Sequence, residues 1–241
     1  MGKNVVITQF LTKIPDEKTD QDLEEVDIIE KTHDLYESTA KFGIELHTLV
    51  NSSNKITPPS LEKIIQVEPF ANYISNKGRF LRWEVTFEYL LQHPEIEKAA
   101  IVDASDVEML NYPFEQVKSG MLYVGDEDND LTGTTITNDA KPGYLSEFIS
   151  KNRHLQLLNT GVLVGTREML LEFLAVMVKL TAEDAVNEKF FPEQAHLGDF
   201  EMGIACYILY KFFPEHVCHG RLVTTHYKYY ERNSKAWFKY K

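Results

Sequence analysis

The run Ala99-Ala-Ile-Val102 ends in Asp103-Ala-Ser-Asp106, and this abrupt change from apolar to acidic constrains the fold more than any other segment. Four consecutive apolar residues fit a strand buried on both faces, the kind found in parallel sheets covered by helices. Sheets of that type bind ligands beyond the carboxyl ends of their strands. Two carboxylates three residues apart at such an edge read in two ways. They can seat a hard divalent cation, which takes oxygen ligands and completes its shell with water and phosphate. They can equally cap a turn and stay solvated.

The pattern on either side supports an α/β fold. Val5–Phe10 reads as a first strand, Asp20–Phe42 as an acidic amphipathic helix ended by Gly43, and Ile44–Val50 as a second strand. Asn51–Ser60 is a loop carrying Pro58-Pro59. Gly78–Gln92 is predicted helical and stopped before Pro94, and Lys98–Asp103 forms the third strand. Met109–Phe114 is irregular, Met121–Val124 a strand, and Gly125–Lys141 a long polar loop. Tyr144–Lys151 is helical, and Leu157–Gly165 is a strand interrupted by Asn159-Thr160-Gly161. Thr166–Leu180 is a strong helix with Thr166 as its N-cap. Phe200–Phe212 is a second apolar helix, N-capped by Asp199, and Leu222–Tyr230 a late strand. Strands alternating with helices predict a mainly parallel central sheet with helices on both faces. No repeat or linker divides the chain, so the expectation is a single domain over 1–241, with 1–107 and 108–241 as its two halves.

Composition narrows the function. A formal net charge of -12 over 241 residues repels a phosphate backbone and argues against nucleic-acid binding. One phosphorylated small molecule in a local basic pocket remains compatible with it. The longest apolar helical stretch, Met169–Leu180, is too short for a bilayer and contains Glu172 and Lys179. The amino-terminal segment lacks the pattern of a signal peptide. The expectation is therefore a cytoplasmic protein without a membrane span. Cys206 lies in an apolar helical pattern and reads as a reduced, buried thiol.

Several residues stand out as site candidates. Arg79 and Arg82 follow Gly78 at a helix start, where backbone N–H groups and a guanidinium favour an anion. Gly161 inside a strand marks a close approach of a ligand or another backbone, and Asn159 beside it offers a donor and an acceptor. His226 is either a metal ligand or an ordinary strand residue. His216, Cys218 and His219 match no standard zinc spacing. Asp126-Glu-Asp128-Asn-Asp130 fails as a calcium loop, with Leu131 where glycine is needed and Thr137 where glutamate is needed. Walker, Rossmann and nucleophile-elbow motifs are absent from the sequence.

In order and spacing, four segments resemble a GT-A glycosyltransferase, of the small nucleotide-sugar transferase type found in bacteria and large algal viruses. They are Gly78-Arg79-Phe80, Ile101-Val-Asp103-Ala-Ser-Asp106-Val107 followed by Tyr112-Pro113-Phe114, Leu158-Asn159-Thr160-Gly161-Val-Leu-Val-Gly165, and Thr225-His226-Tyr227. The resemblance implies that Asp103-Ala-Ser-Asp106 stands for the family's Asp-x-Asp motif, with one extra residue between the acids. By it, Asp106 and His226 bind manganese or magnesium, and Asp103 contacts the ribose or the metal's water shell. Thr8, Phe10 and Arg79 hold a UDP- or GDP-linked sugar, while Asn159, Thr160 and Gly161 face the transferred hexose or deoxyhexose. Asp199 lies at the acceptor side. Lys235-Ala-Trp237 is similar to a Lys-Pro-Trp diphosphate motif with alanine in place of proline. The implied activity is transfer of the sugar to a hydroxyl of a glycan or other acceptor. An inverting enzyme needs a carboxylate base, for which Asp199 and Glu127 are the candidates. Neither sits in a recognisable base motif, which favours a retaining displacement. The alternatives are a sugar-nucleotide nucleotidyltransferase, whose glycine-rich basic loop is missing after the first strand, and a catalytically silent sugar- or protein-binding module.

Overall fold

A computed structural model describes residues 2–11, 26–52, 56–69, 78–133, 141–198, 201–226, 231 and 233–240. Its elements in chain order are β1 (Lys3–Phe10), α1 (Ile28–Ala40), β2 (Glu45–Val50), β3 (Glu62–Gln66), α2 (Gly78–Gln92), β4 (Ile96–Val102) and β5 (Val107–Met109). There follow β6 (Leu122–Asp130), α3 (Gly143–Lys151), β7 (Gln156–Thr166), α4 (Arg167–Phe190), α5 (Glu201–Phe212), β8 (Val217–His219) and β9 (Phe238–Tyr240). Seven strands form one sheet in the order β3-β2-β1-β4-β7-β6-β8, while β5 and β9 make a separate two-stranded ribbon. Strands from both halves of the chain thus enter the same sheet.

All pairings in the sheet are parallel except the two that β7 makes, with β4 and with β6. The expected mainly parallel α/β architecture is present. The two faces bury different sets of side chains because successive residues of a strand point to opposite sides. Val5, Ile7, Ala99, Ile101 and Leu163 pack against α2, α4 and α5 on one face. Val6, Ala100, Val102, Val162 and Val164 pack against Leu35 of α1 and the β5–β9 ribbon on the other. Trp83 and Phe173 meet edge-to-face in the first layer, with ring centroids 5.9 Å apart. Tyr123 and Trp237 meet in the second, at 5.0 Å. Cys206 is fully buried, and burial pushes its thiol up to about 12.

Four readings of the sequence need correction. Gly125–Asp130 is not a loop: β6 runs on through it, pairing with β7 across two register shifts. Its acidic side chains hid the strand, which is exposed over its last residues. The late strand expected at Leu222–Tyr230 is a turn at 221–223 and a single bridge from Thr224 to Phe238, and 227–230 lie outside the described residues. The edge strand β3 was read as no element at all. Helix α4 also extends ten residues past Leu180, to Phe190. Its Thr166 cap accepts from the Met169 N–H as expected.

Among the described residues, no helix is long and apolar enough to cross a membrane.

Candidate functional site

The topology selects one edge of the sheet. From β1 the chain moves outward to β2 and β3, and α2 then brings it back to β4 on the other side of β1. The carboxyl ends of β1 and β4 therefore flank the point where strand order reverses, the usual ligand crevice of an open α/β sheet. Because β7 is antiparallel, its amino-terminal half, Asn159–Gly161, lies at this same edge. Because β6 is antiparallel to β7, the carboxyl half of β6, with Asp126 and Glu127, joins them.

Asp103 is the centre of the cluster. Its backbone N–H donates to the Gly161 carbonyl at 2.9 Å, continuing the β4–β7 ladder by one residue. Its Oδ1 accepts from Arg82 Nη1 of α2 at 2.5 Å. The second oxygen faces Gly161: a Cβ placed there would lie 2.6 Å from Asp103 Oδ2 and 3.0 Å from Asn159 Oδ1. The first is closer than real Cβ atoms come and the second is tight, so a side chain at 161 would displace this carboxylate. Asn159 Oδ1 accepts from the Gly161 N–H at 2.8 Å, and its Nδ2 donates to Glu127 Oε1 at 2.5 Å. Glycine within β7 thus marks a close approach, but the approaching group is the protein's own carboxylate.

Arg82 is shared. Its Nε and Nη2 both donate to Glu201 Oε1, at 2.8 and 2.7 Å. The guanidinium also stacks over the Trp83 ring at 4.3 Å. The side chains of Arg82 and Glu201 are 18% and 15% exposed, against 36% for Asp103. The triad is therefore screened from water on its helical side and open at the aspartate. Burial opposes the charge on Arg82, but the two carboxylates outweigh it and push its pKa further up. Burial lifts the carboxyl of Glu201 above its ordinary range even against the pull of Arg82. With its charge matched inside the protein, Arg82 is an internal tie and not the anion anchor its sequence context suggested.

Tyr240 closes the site from the ribbon. Its hydroxyl donates to the Asn159 carbonyl at 3.2 Å and lies where a Cβ on Gly125 would fall, 2.5 Å away. Burial, then the nearby carboxylates of Asp103 and Glu127, push its phenol well up. It stays a neutral donor.

The other residues singled out in the sequence are placed as follows. Asp106 is exposed on the turn after β4 and accepts from Ser105 Oγ at 2.9 Å. Thr8 is fully buried and its hydroxyl donates to the Val102 carbonyl at 2.8 Å, tying β1 to the end of β4. Phe10 is half-buried at the end of β1. Thr160 is buried, on the opposite side of β7 from Asn159. Arg79 begins α2, and its side chain lies outside the described residues, as does Asp199. His226 Nδ1 lies 2.7 Å from Asp128 Oδ1, and its N–H donates to Glu231 Oε1, which holds that carboxyl below its usual value. His216 and His219 are drawn apart, to the Gly120 carbonyl and to Asp126.

Among the described residues, no three His, Cys, Asp or Glu side chains converge closely enough to hold an ion. A ready-made protein cage therefore does not fit. The exposed Asp106 carboxylate, three residues from the edge-facing Asp103, does fit an ion that takes one or two protein carboxylates and fills its shell with water and ligand phosphates.

Glu201, Tyr240 and the Asp126–His219–Arg221 cluster escaped the sequence reading. In that cluster buried Asp126 accepts from Arg221 and lies 3.0 Å from His219 Nδ1. The positive-φ Gly220 separates its two basic partners. Compared with protein-family models and with curated proteins, the chain matches none.

Proposed function

We propose that the protein is a metal-dependent glycosyltransferase, acting in the cytoplasm, that moves a hexose or deoxyhexose from a UDP- or GDP-linked donor to a hydroxyl of a glycan or other acceptor. The observation that carries this reading is the Asp103–Gly161 approach at the switch point of the sheet. There a fixed carboxylate and the Asn159–Glu127 pair meet at one end of the sheet, and the exposed Asp106 follows on the next turn.

Each residue then has a task that its chemistry allows. Asp106, with Asp103, would hold manganese or magnesium, whereas His226, engaged with Asp128 and Glu231, does not converge with them as a third ligand. The bound ion supplies positive charge against the charge building on the leaving diphosphate. Asp103 would accept from a ribose hydroxyl, or from the ion's water shell, through the oxygen that Arg82 does not take. By the resemblance, Phe10 and Arg79 would hold the nucleotide. Thr8 supports it indirectly, by fixing the end of β4. Asn159 and Gly161 face the transferred sugar, and Thr160 anchors that strand from behind. Glu127 is held against Asn159, which suits it to orient that amide better than to abstract a proton. Asp199 remains the candidate base of an inverting route, and the retaining route is favoured.

The test is a thermal melt with manganese and a panel of nucleotide sugars. A ligand at about a hundred times its Kd stabilises by about 2.7 kcal/mol, or about 5–10 °C for a chain of this size. A shift that needs metal and nucleotide together, and that Asp106→Ala abolishes, is the expected outcome. No shift with any donor would overturn the proposal. The anomeric configuration of the product then separates retention from inversion.

A further inference from the structure

We propose that Glu201 and Arg82 form a positioning pair that presents Asp103 to the ligand, so that the first turn of α5 governs nucleotide affinity without touching nucleotide. The inference rests on the reading of Asp103 as a ligand-facing group. A guanidinium alone could meet a carboxylate in many geometries. Here three restraints leave it one. Glu201 Oε1 takes Nε and Nη2 together, which sets the direction of the remaining nitrogen. The Trp83 ring, fully buried and 4.3 Å below, sets the plane. The Arg82 carbonyl accepts from Thr86 Oγ1 at 2.6 Å, and that hydroxyl in turn accepts from Gln9 Nε2 of β1 at 2.8 Å, which ties this turn of α2 to the sheet.

Nη1 then reaches Asp103 Oδ1, and the absence of a side chain on Gly161 leaves room for the second oxygen. The result is a carboxylate with one oxygen committed to Arg82 and the other lying against Gly161, on a side chain that stays 36% exposed. Glu201 is an outer partner in the sense familiar from metal centres, where such groups orient the residue that makes contact.

The same three side chains could merely staple α2, α5 and β4 together, and a double-mutant cycle separates the two roles. Asp103→Asn, Glu201→Gln and the double variant are titrated with UDP and with GDP, each in the presence of manganese. If Glu201 acts through Asp103, Glu201→Gln weakens nucleotide binding by about tenfold or more, and the double variant binds no worse than Asp103→Asn alone. Strictly multiplied losses, or wild-type affinity in Glu201→Gln, overturn the positioning role. Arg82→Lys keeps the charge and loses the fork, so it is expected to follow Glu201→Gln. Should it fail to fold, the cycle stands without it.

A second readout needs no ligand. The Arg82 Nε–H resonance exchanges slowly with water when Glu201 holds it, and fast in Glu201→Gln. Equal exchange in both proteins overturns the pair whether or not nucleotide binds. A wild-type protein that binds neither nucleotide overturns the functional reading instead.

Discussion

Gly161 is the residue whose replacement best separates folding from function. In Gly161→Ala the new methyl falls 2.6 Å from Asp103 Oδ2 and 3.0 Å from Asn159 Oδ1. Both are side-chain oxygens that can swing aside, so the fold survives. Overpacking of this kind costs about 1–3 kcal/mol, a few degrees of melting temperature. The carboxylate, however, is displaced from the position in which Arg82 holds it. The expected outcome is a modest fall in melting temperature together with complete loss of the shift produced by manganese and nucleotide. A variant that retains the shift would mean that the position of Asp103 is immaterial to binding.

Among the elements, β3 is the one whose packing carries a titratable load. Glu62 is 3% exposed, and its Oε1 accepts from Thr32 of α1 and Thr48 of β2, at 3.0 and 2.8 Å. Among the described residues its other oxygen has no partner. Burial raises its pKa above 4.5, more than the two threonines lower it. A raised carboxyl stabilises the fold below the unfolded value, and that stability is lost as pH rises through the folded value. Melting temperature is therefore expected to fall as pH rises above 4.5 through the raised folded value in the wild type, and to fall less steeply in Glu62→Gln. Parallel curves would mean that Glu62 is already ionised across that window. Glu45 on β2 works in the opposite sense. Burial opposes its charge, but His47, Lys3 and Lys63 outweigh that and hold the carboxyl at about 2. Its stabilising contribution is present above 4.5 and lost as pH falls through about 2.

These elements also explain what the sequence could disclose. Helix α2 and the strands β1, β2 and β4 were legible because each carries its own periodicity and its own stop. β3 was not, since Glu62-Lys-Ile-Ile-Gln66 has no alternation and its glutamate faces inward. The acidic end of β6 read as a loop because its pairing partner supplies the order that its composition lacks. Asp103 and Gly161 could be flagged singly, one as a strand end and one as a strand break. That they touch is a consequence of the antiparallel β7, and no local pattern encodes it. Glu201 was missed for the same reason: its link to Arg82 spans 119 positions.

At the scale of the whole molecule, sequence separation becomes a matter of time. The β5–β9 ribbon joins Val107 to Tyr240, and its strand β9 delivers the hydroxyl that meets Asn159. Contacts so distant in sequence form late, after local ones have offset the entropy of closing the chain. The two tryptophans of the chain report on this separately, Trp83 from the α2 layer and Trp237 from the ribbon layer. In refolding experiments on Trp83→Phe and Trp237→Phe, the Trp83 signal is expected to reach its native value before the Trp237 signal. Simultaneous recovery would mean that the two layers condense together. On the ribosome the same ordering is absolute, because residue 240 must emerge before residue 107 has a partner. An unfinished copy with most of its sheet in place therefore still lacks the wall behind Asn159, and it cannot compete with finished molecules for whatever they bind.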